Sequence, residues 1–259
     1  MRRLVLLVLG LILVAVPTAC RLRADVLIDV DADGAGEVTV SVVLDRDAAA
    51  KIGDPEKAVK VDDLRAAGWK VAEPVTDPGS GEVTLKAVRS FASPGELETV
   101  LSEIGGSSGD TPADTPGVFS NVKLEIENGF ASTEYKLRAN VELNGSLEQF
   151  SDPALKEALG GLALGRTPEQ LKAEGGTDDS ATLSVTVGLP GGKTTSNGTP
   201  VGDRVRWNFP LDSGKSTSRS LTATASDSQS GVLVLIGSGA AVLVIGLGLA
   251  GVGLKRSRR

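Results

Sequence analysis

The chain has 259 residues, with 33 acidic and 27 basic side chains and a formal net charge of -6. There is no histidine and one cysteine, so a disulfide has no partner, and zinc, copper or haem ligation and Ser-His or Cys-His catalysis are disfavoured. Arg2, Arg3, Lys255, Arg256, Arg258 and Arg259 lie outside residues 21–230, whereas all 33 acids lie inside, so that segment holds 21 bases and a net charge of -12. Such a surface repels nucleic acid and anionic headgroups.

Met1-Arg2-Arg3 precedes an apolar run from Leu4, which closes on Val16-Pro17-Thr18-Ala19-Cys20. A positive start, an apolar stretch and small residues before a cut form a secretory signal. The closing residues resemble a bacterial lipobox, in which the chain is cleaved after Ala19 and the Cys20 sulfur takes a diacylglycerol. Pro17 stands where lipoboxes usually carry Leu or Val, which leaves open ordinary cleavage after Ala19 or an uncleaved anchor.

Leu22, Ala24, Val26, Ile28 and Val30 alternate with polar residues, and Val38, Val40, Val42 and Leu44 repeat the pattern. Asp31 to Gly36 between them is a turn signal, so a hairpin with one wet face is predicted. Residues 46–67 read as two short helical pieces, with Asp54-Pro55 as N-cap and N1 and Gly68 as the C-terminal cap. Gly68-Trp69-Lys70-Val71 opens a short strand. Glu82 to Phe91 forms another, whose imperfect alternation predicts a bulge or an edge. Ser93-Pro94-Gly95-Glu96 predicts a capping box and a helix to about Ile104, with Leu97, Val100, Leu101 and Ile104 as its apolar stripe.

Residues 105–117 read as a loop. Val122, Leu124 and Ile126 alternate, Asn128-Gly129 predicts a type I′ turn, and Tyr135, Leu137, Ala139, Val141 and Leu143 alternate on the return. Ser151-Asp152-Pro153 and Thr167-Pro168-Glu169-Gln170 each start a helix. Strands follow around Leu183–Leu189, Val205–Phe209 and Leu221–Ala225. The pattern predicts an α+β body: an antiparallel curved sheet with one packed and one wet face, the short helices covering the packed face.

Gly231 to Leu254 holds no charged residue and would span roughly 36 Å as a helix, enough to cross a bilayer core. The basic tail at 255–259 then belongs in the cytoplasm. The organisation read from the sequence is a lipoprotein signal at 1–19, an extracytoplasmic domain at 20–226, a juxtamembrane linker at 227–230, a transmembrane helix at 231–254 and a basic tail at 255–259. Two short tethers predict a body held against the outer leaflet with one end towards lipid.

Among the constellations, Asp29-Val30-Asp31-Ala32-Asp33-Gly34 imitates the start of a calcium loop, but position 40 is Val and the flanks are strands. It reads as an acidic hairpin turn, and no metal site is assigned. The adjacent pairs Asp62-Asp63 and Asp178-Asp179 lack the separated environments that acid–base chemistry needs. No catalytic residue and no cofactor are assigned. Trp69, Trp207, Tyr135 and Phe150 are open to two readings, the wall of an apolar cavity or simple core.

Taken in order, the strand pair around Asp33-Gly34, the Gly68-Trp69 step and Phe91 leading to Pro94-Gly95-Glu96-Leu97 resemble the LppM-type lipoproteins of actinobacteria. So do the strand Tyr135 to Leu143, Ser184-Val185-Thr186-Val187, Thr195-Ser196-Asn197-Gly198 and Val205-Arg206-Trp207, followed by an apolar run and a basic tail. The resemblance implies a secreted domain similar to Bet v 1-like lipid-binding folds, a role with envelope lipids or glycolipids, and no catalytic residues. It supplies no ligand-binding residue; Trp69 and Trp207 are the candidates for a cavity wall. The expected function is that of a non-enzymatic membrane lipoprotein, its partners being membrane lipid at Cys20 and around residues 231–254, and a glycolipid. The alternative is an interaction module that docks another envelope protein through an edge strand or the loop at 105–117.

Overall fold

The computed structural model describes residues 22–46, 49–50, 61–104, 117–144, 181–211 and 215–228. Ala19, Cys20, Phe150, the helices expected after Ser151 and Thr167, most of the 105–117 loop and the apolar run 231–254 lie outside these residues. No helix among the described residues is long and apolar enough to cross a membrane.

Two sheets account for most of the described chain. The larger joins β1 (Leu22–Val30), β2 (Gly36–Leu44), β3 (Lys70–Val71), β4 (Val75–Thr76), β5 (Val83–Phe91), β8 (Ala181–Gly188), β10 (Thr199–Val201) and β11 (Arg204–Pro210). Its order is β10-β11-β8-β1-β2-β5-β3, with β4 also on β5. The smaller contains β6 (Phe119–Asn128), β7 (Ser132–Leu143), β9 (Thr195–Ser196) and β12 (Thr217–Ser228), in the order β6-β7-β12-β9. Two short helices are described, α1 (Val61–Ala66) and α2 (Pro94–Ser102).

The inward sets of both sheets meet in one core. Val26, Ile28, Val185, Val187, Trp207 and Phe209 of the larger sheet belong to the same buried cluster as Leu124, Tyr135, Leu137, Val141, Leu221 and Ala223 of the smaller. Burial of the alternate residues of each strand drives this stacking. The expectation that helices cover the packed face is therefore corrected for the described residues: the second sheet is the main cover. The amphipathic strands bury one face each, and a second sheet closes that face as well as helices do.

The sheet is also not wholly antiparallel. β1 and β8 pair in parallel from Leu22↔Ala181 to Asp29↔Gly188. A parallel pair needs a long crossover, and 150 residues of chain separate the two strands. β8 reads Ala-Thr-Leu-Ser-Val-Thr-Val-Gly, and its outward Ser184 and Thr186 are themselves buried, as befits a strand with neighbours on both sides.

Local rules account for most element boundaries. Gly68, at φ +93°, ends α1: its N–H donates to Arg65 O at 3.0 Å and the Trp69 N–H to Leu64 O at 2.9 Å. This is the paired closure that a left-handed glycine permits, and it aims Trp69 into the core. Pro94 opens α2 as expected, and Leu97, Val100 and Leu101 are buried. The capping box is only half formed. The Ser93 hydroxyl makes no cap bond, while Glu96 Oε2 accepts the Ala92 N–H at 2.7 Å.

Two further expectations change. β5 is neither bulged nor at an edge: it pairs with β2 without interruption from Gly36↔Phe91 to Leu44↔Val83, and with β3 and β4 on its other side. Its alternation looks imperfect because Arg89 occupies an inward register position opposite buried Val38. The bulge falls in β6 between Ser120 and Lys123, where Asn121 has φ +51°. The β6–β7 turn is longer than type I′. Asn128 pairs with Thr133, and Gly129, which lacks a positive φ, donates to Ser132 O at 2.8 Å.

Candidate functional site

Trp69 is 4% exposed, and its indole N–H donates to Glu103 Oε2 at 2.8 Å. The same oxygen receives Arg89 Nη1, so the charge of Arg89 facing the core is matched by a carboxylate from the end of α2. Glu103 thus satisfies two donors that the packing half-buries. Position 103 is polar and lies beyond the helical stripe, so nothing in its sequence surroundings announces this role.

Trp207 is 1% exposed on β11, and its N–H donates to Asn197 Oδ1 at 2.9 Å. Asn197 lies where the chain passes from β9, in the smaller sheet, to β10, in the larger. The next residue, Gly198, is pressed against the indole; a Cβ there would sit 2.6 Å from Trp207 Cε2. The Asn-Gly pair is thus a strand-switching corner, built around the tryptophan edge.

The structure does not bring the two tryptophans to one place. Five strand steps separate β11 from β3, the strand that Trp69 leads into, which is roughly 24 Å across the sheet at about 4.8 Å per step. Both belong to the core, with their only polar atoms bonded. Tyr135, the third aromatic, is also core. Its hydroxyl donates to Ala32 O at 2.9 Å, linking β7 to the β1–β2 turn. Burial, and then the carboxylates of Asp227 and Asp33, raise its pKa.

The carboxylates of the calcium-like stretch have other uses. Asp29 forms a two-pronged pair with Arg204, Nε to Oδ1 and Nη2 to Oδ2, both at 3.0 Å. The pair crosses β8 over Gly188, where a Cβ would collide with Asp29 Oδ1. Asp33 Oδ1 accepts the Ala35 N–H at 3.1 Å within the turn. No group of three acidic, histidine or cysteine residues able to hold a metal ion occurs among the described residues.

The two ends of the described body differ in position. Leu22 opens β1 at the end of the larger sheet that also holds Leu44 and Ala181. At the other end of β1 lies the turn whose Ala32 is bonded by Tyr135. Tyr135 pairs with Ala225, and three residues on, Ser228 closes β12 opposite Ser132. Gly192 N–H donates to Ser226 O at 3.4 Å, which ties the exit of β8 to this same end. Leu22 and Ser228 therefore leave the body at opposite ends of a nine-residue strand, roughly 26 Å apart at about 3.3 Å per residue. Tethers at the two ends of the described chain would therefore leave from opposite ends of the body, not from one.

Comparison with known proteins returns one solved structure of note. The chain is similar to the folded domain of Mycobacterium tuberculosis LppM, determined by NMR, with 16% sequence identity, 83% of this chain and 93% of that chain covered, and a TM-score of 0.37. No family model matches the chain, and no curated protein matches it.

Proposed function

We propose that this chain is a non-enzymatic lipoprotein of the bacterial cell envelope, and that its body handles lipid or glycolipid at the outer leaflet of the cytoplasmic membrane. In this reading Cys20 becomes the acylated first residue after cleavage behind Ala19, and residues 231–254 cross the bilayer.

The observation that carries the reading is the brevity of both tethers. β1 begins two residues after Cys20 and β12 ends three residues before Gly231. At about 3.5 Å per extended residue these links reach roughly 7 and 10 Å. Leaving from opposite ends, they hold the long axis of the body along the bilayer, so one flank faces lipid continuously. Neither tether allows the body to reach far into the surrounding space.

Two of the sheet edges are poorly suited to strand addition by a protein. β6 is interrupted by its bulge and carries Lys123, Glu125 and Glu127, while β10 is three residues long and contains Pro200. Such features disfavour pairing with another chain at these two edges.

The test is native mass spectrometry of the full chain, purified from membranes in detergent and supplied with envelope lipid extract. Retention of non-covalent lipid is expected. Its absence, with a stoichiometric envelope protein co-purifying instead, would favour the docking alternative.

A further inference from the structure

Among the described residues, three large apolar side chains remain exposed: Val75, Phe130 and Val201, with Phe130 the most exposed at 78%. Phe130 sits at the tip of the β6–β7 hairpin. Gly129 N–H donating to Ser132 O at 2.8 Å and Thr133 Oγ1 donating to Asn128 Oδ1 at 3.2 Å frame that tip. The aromatic ring is thus presented by a bonded turn, outside the buried core cluster.

The neighbour of this tip is the exit of the chain. Ser132, two residues from Phe130, pairs with Ser228. Three residues beyond Ser228 the sequence enters the uncharged apolar run at Gly231. At about 3.5 Å per extended residue and one strand spacing, the run can begin no farther than roughly 20 Å from the hairpin tip. We propose that Phe130 is a membrane contact: its ring enters the interface of the outer leaflet beside the segment 231–254. The proposal rests on the reading of that segment as a membrane span.

Charge around the tip fixes the kind of surface. Glu127, Glu134 and Asp227 lie on the adjoining strand ends, and Asp31 and Asp33 in the turn bonded by Tyr135. Lys136 on β7 is held by Glu127 at 2.9 Å and Glu134 at 3.0 Å. Lys193, beside Gly192 at the same end, is exposed, but it stands against these five carboxylates, so the charge there is net negative and the contact is apolar. Phosphatidylcholine should support it as well as or better than anionic lipid, and salt should not dissociate it.

The experiment uses full-length Phe130→Trp in phosphatidylcholine vesicles whose acyl chains carry bromine near the headgroup. Trp69 and Trp207 are buried, so the wild-type chain supplies their baseline. Flotation is read in parallel. We expect the variant to float and its added emission to fall about twofold in brominated vesicles, since interfacial depth is where tryptophan settles. Flotation with unquenched emission would overturn the Phe130 contact and leave the span intact. Failure to float would overturn the span and this contact together, whatever the outcome for lipid handling.

Discussion

Asn197 and Trp207 join the two sheets: the Asn197 side-chain oxygen accepts the indole N–H at 2.9 Å, while its amide donates to Ser220 O at 2.7 Å. The same oxygen accepts Thr222 N–H at 3.1 Å, so one side chain bonds β11 of the larger sheet and β12 of the smaller.

Asn197→Ala removes these bonds and leaves the buried Trp207 N–H without a partner. A loss of about 2–4 kcal/mol is expected, given the cost of an orphaned buried donor plus the bonds forfeited. Gly198→Ala should cost about 1–3 kcal/mol by overpacking against the indole. Urea denaturation midpoints of both variants check this; an unchanged midpoint for Asn197→Ala would show that the corner is not structural.

Much of the strand content was legible because one face of each strand is buried, which leaves a period of two in the residues themselves. Gly68 as the end of α1 was legible for a similar reason, since a left-handed cap favours glycine. The pairing of β1 with β8 was not, because alternation says which face is buried and nothing of the neighbour. The bonds of Trp69 to Glu103 and of Trp207 to Asn197 were hidden as well. Aromatic residues in an apolar pattern fit a cavity wall and a core equally, and the pattern says nothing of the partner of each indole N–H. The inward Arg89 concealed the regularity of β5, since its matching carboxylate comes from another element.

Tyr135 is the only tyrosine of the chain, so absorbance titration of the phenol reports on it alone. Burial, then Asp227 and Asp33, raise its pKa. The midpoint should lie above the ordinary value of about 10. A raised folded pKa gives a stabilisation fully present below the unfolded pKa and lost as pH climbs from there through the folded value. Tyr135→Phe should remove that alkaline loss and cost about 1 kcal/mol at neutral pH for the bond to Ala32. A midpoint at the ordinary value would contradict the buried, bonded placement.

Asp29 is engaged by Arg204, with side-chain exposures of 40% and 43%. Exposure on this scale limits the pair to about 1 kcal/mol or less. Asp29→Ala should therefore lower stability slightly, and millimolar calcium should leave the melting temperature unchanged. A calcium-dependent rise that Asp29→Ala abolishes would restore the metal-loop reading of residues 29–34.

Asp77 Oδ1 organises the β4–β5 turn, accepting Ser80 N–H at 2.7 Å, Gly79 N–H at 2.8 Å and Ser80 Oγ–H at 3.1 Å. The Ser80 backbone bond first, then the Ser80 hydroxyl and the Gly79 N–H, lower its pKa. Its contribution is thus present above the unfolded carboxylate value of about 4 and is lost as pH falls from there through the lower folded value. Hydrogen exchange at Gly79 and Ser80 should show protection falling relative to neighbouring strands in that acid window. Asp77→Ala should lack the transition.

The intact mass of the full chain, expressed in an actinobacterial host and isolated from its membranes, tests the account most directly. The account predicts a chain that begins at Cys20 and carries the added mass of a diacylglycerol lost in Cys20→Ala. A chain that retains residues 1–19, or begins near position 20 without acyl mass, would contradict it.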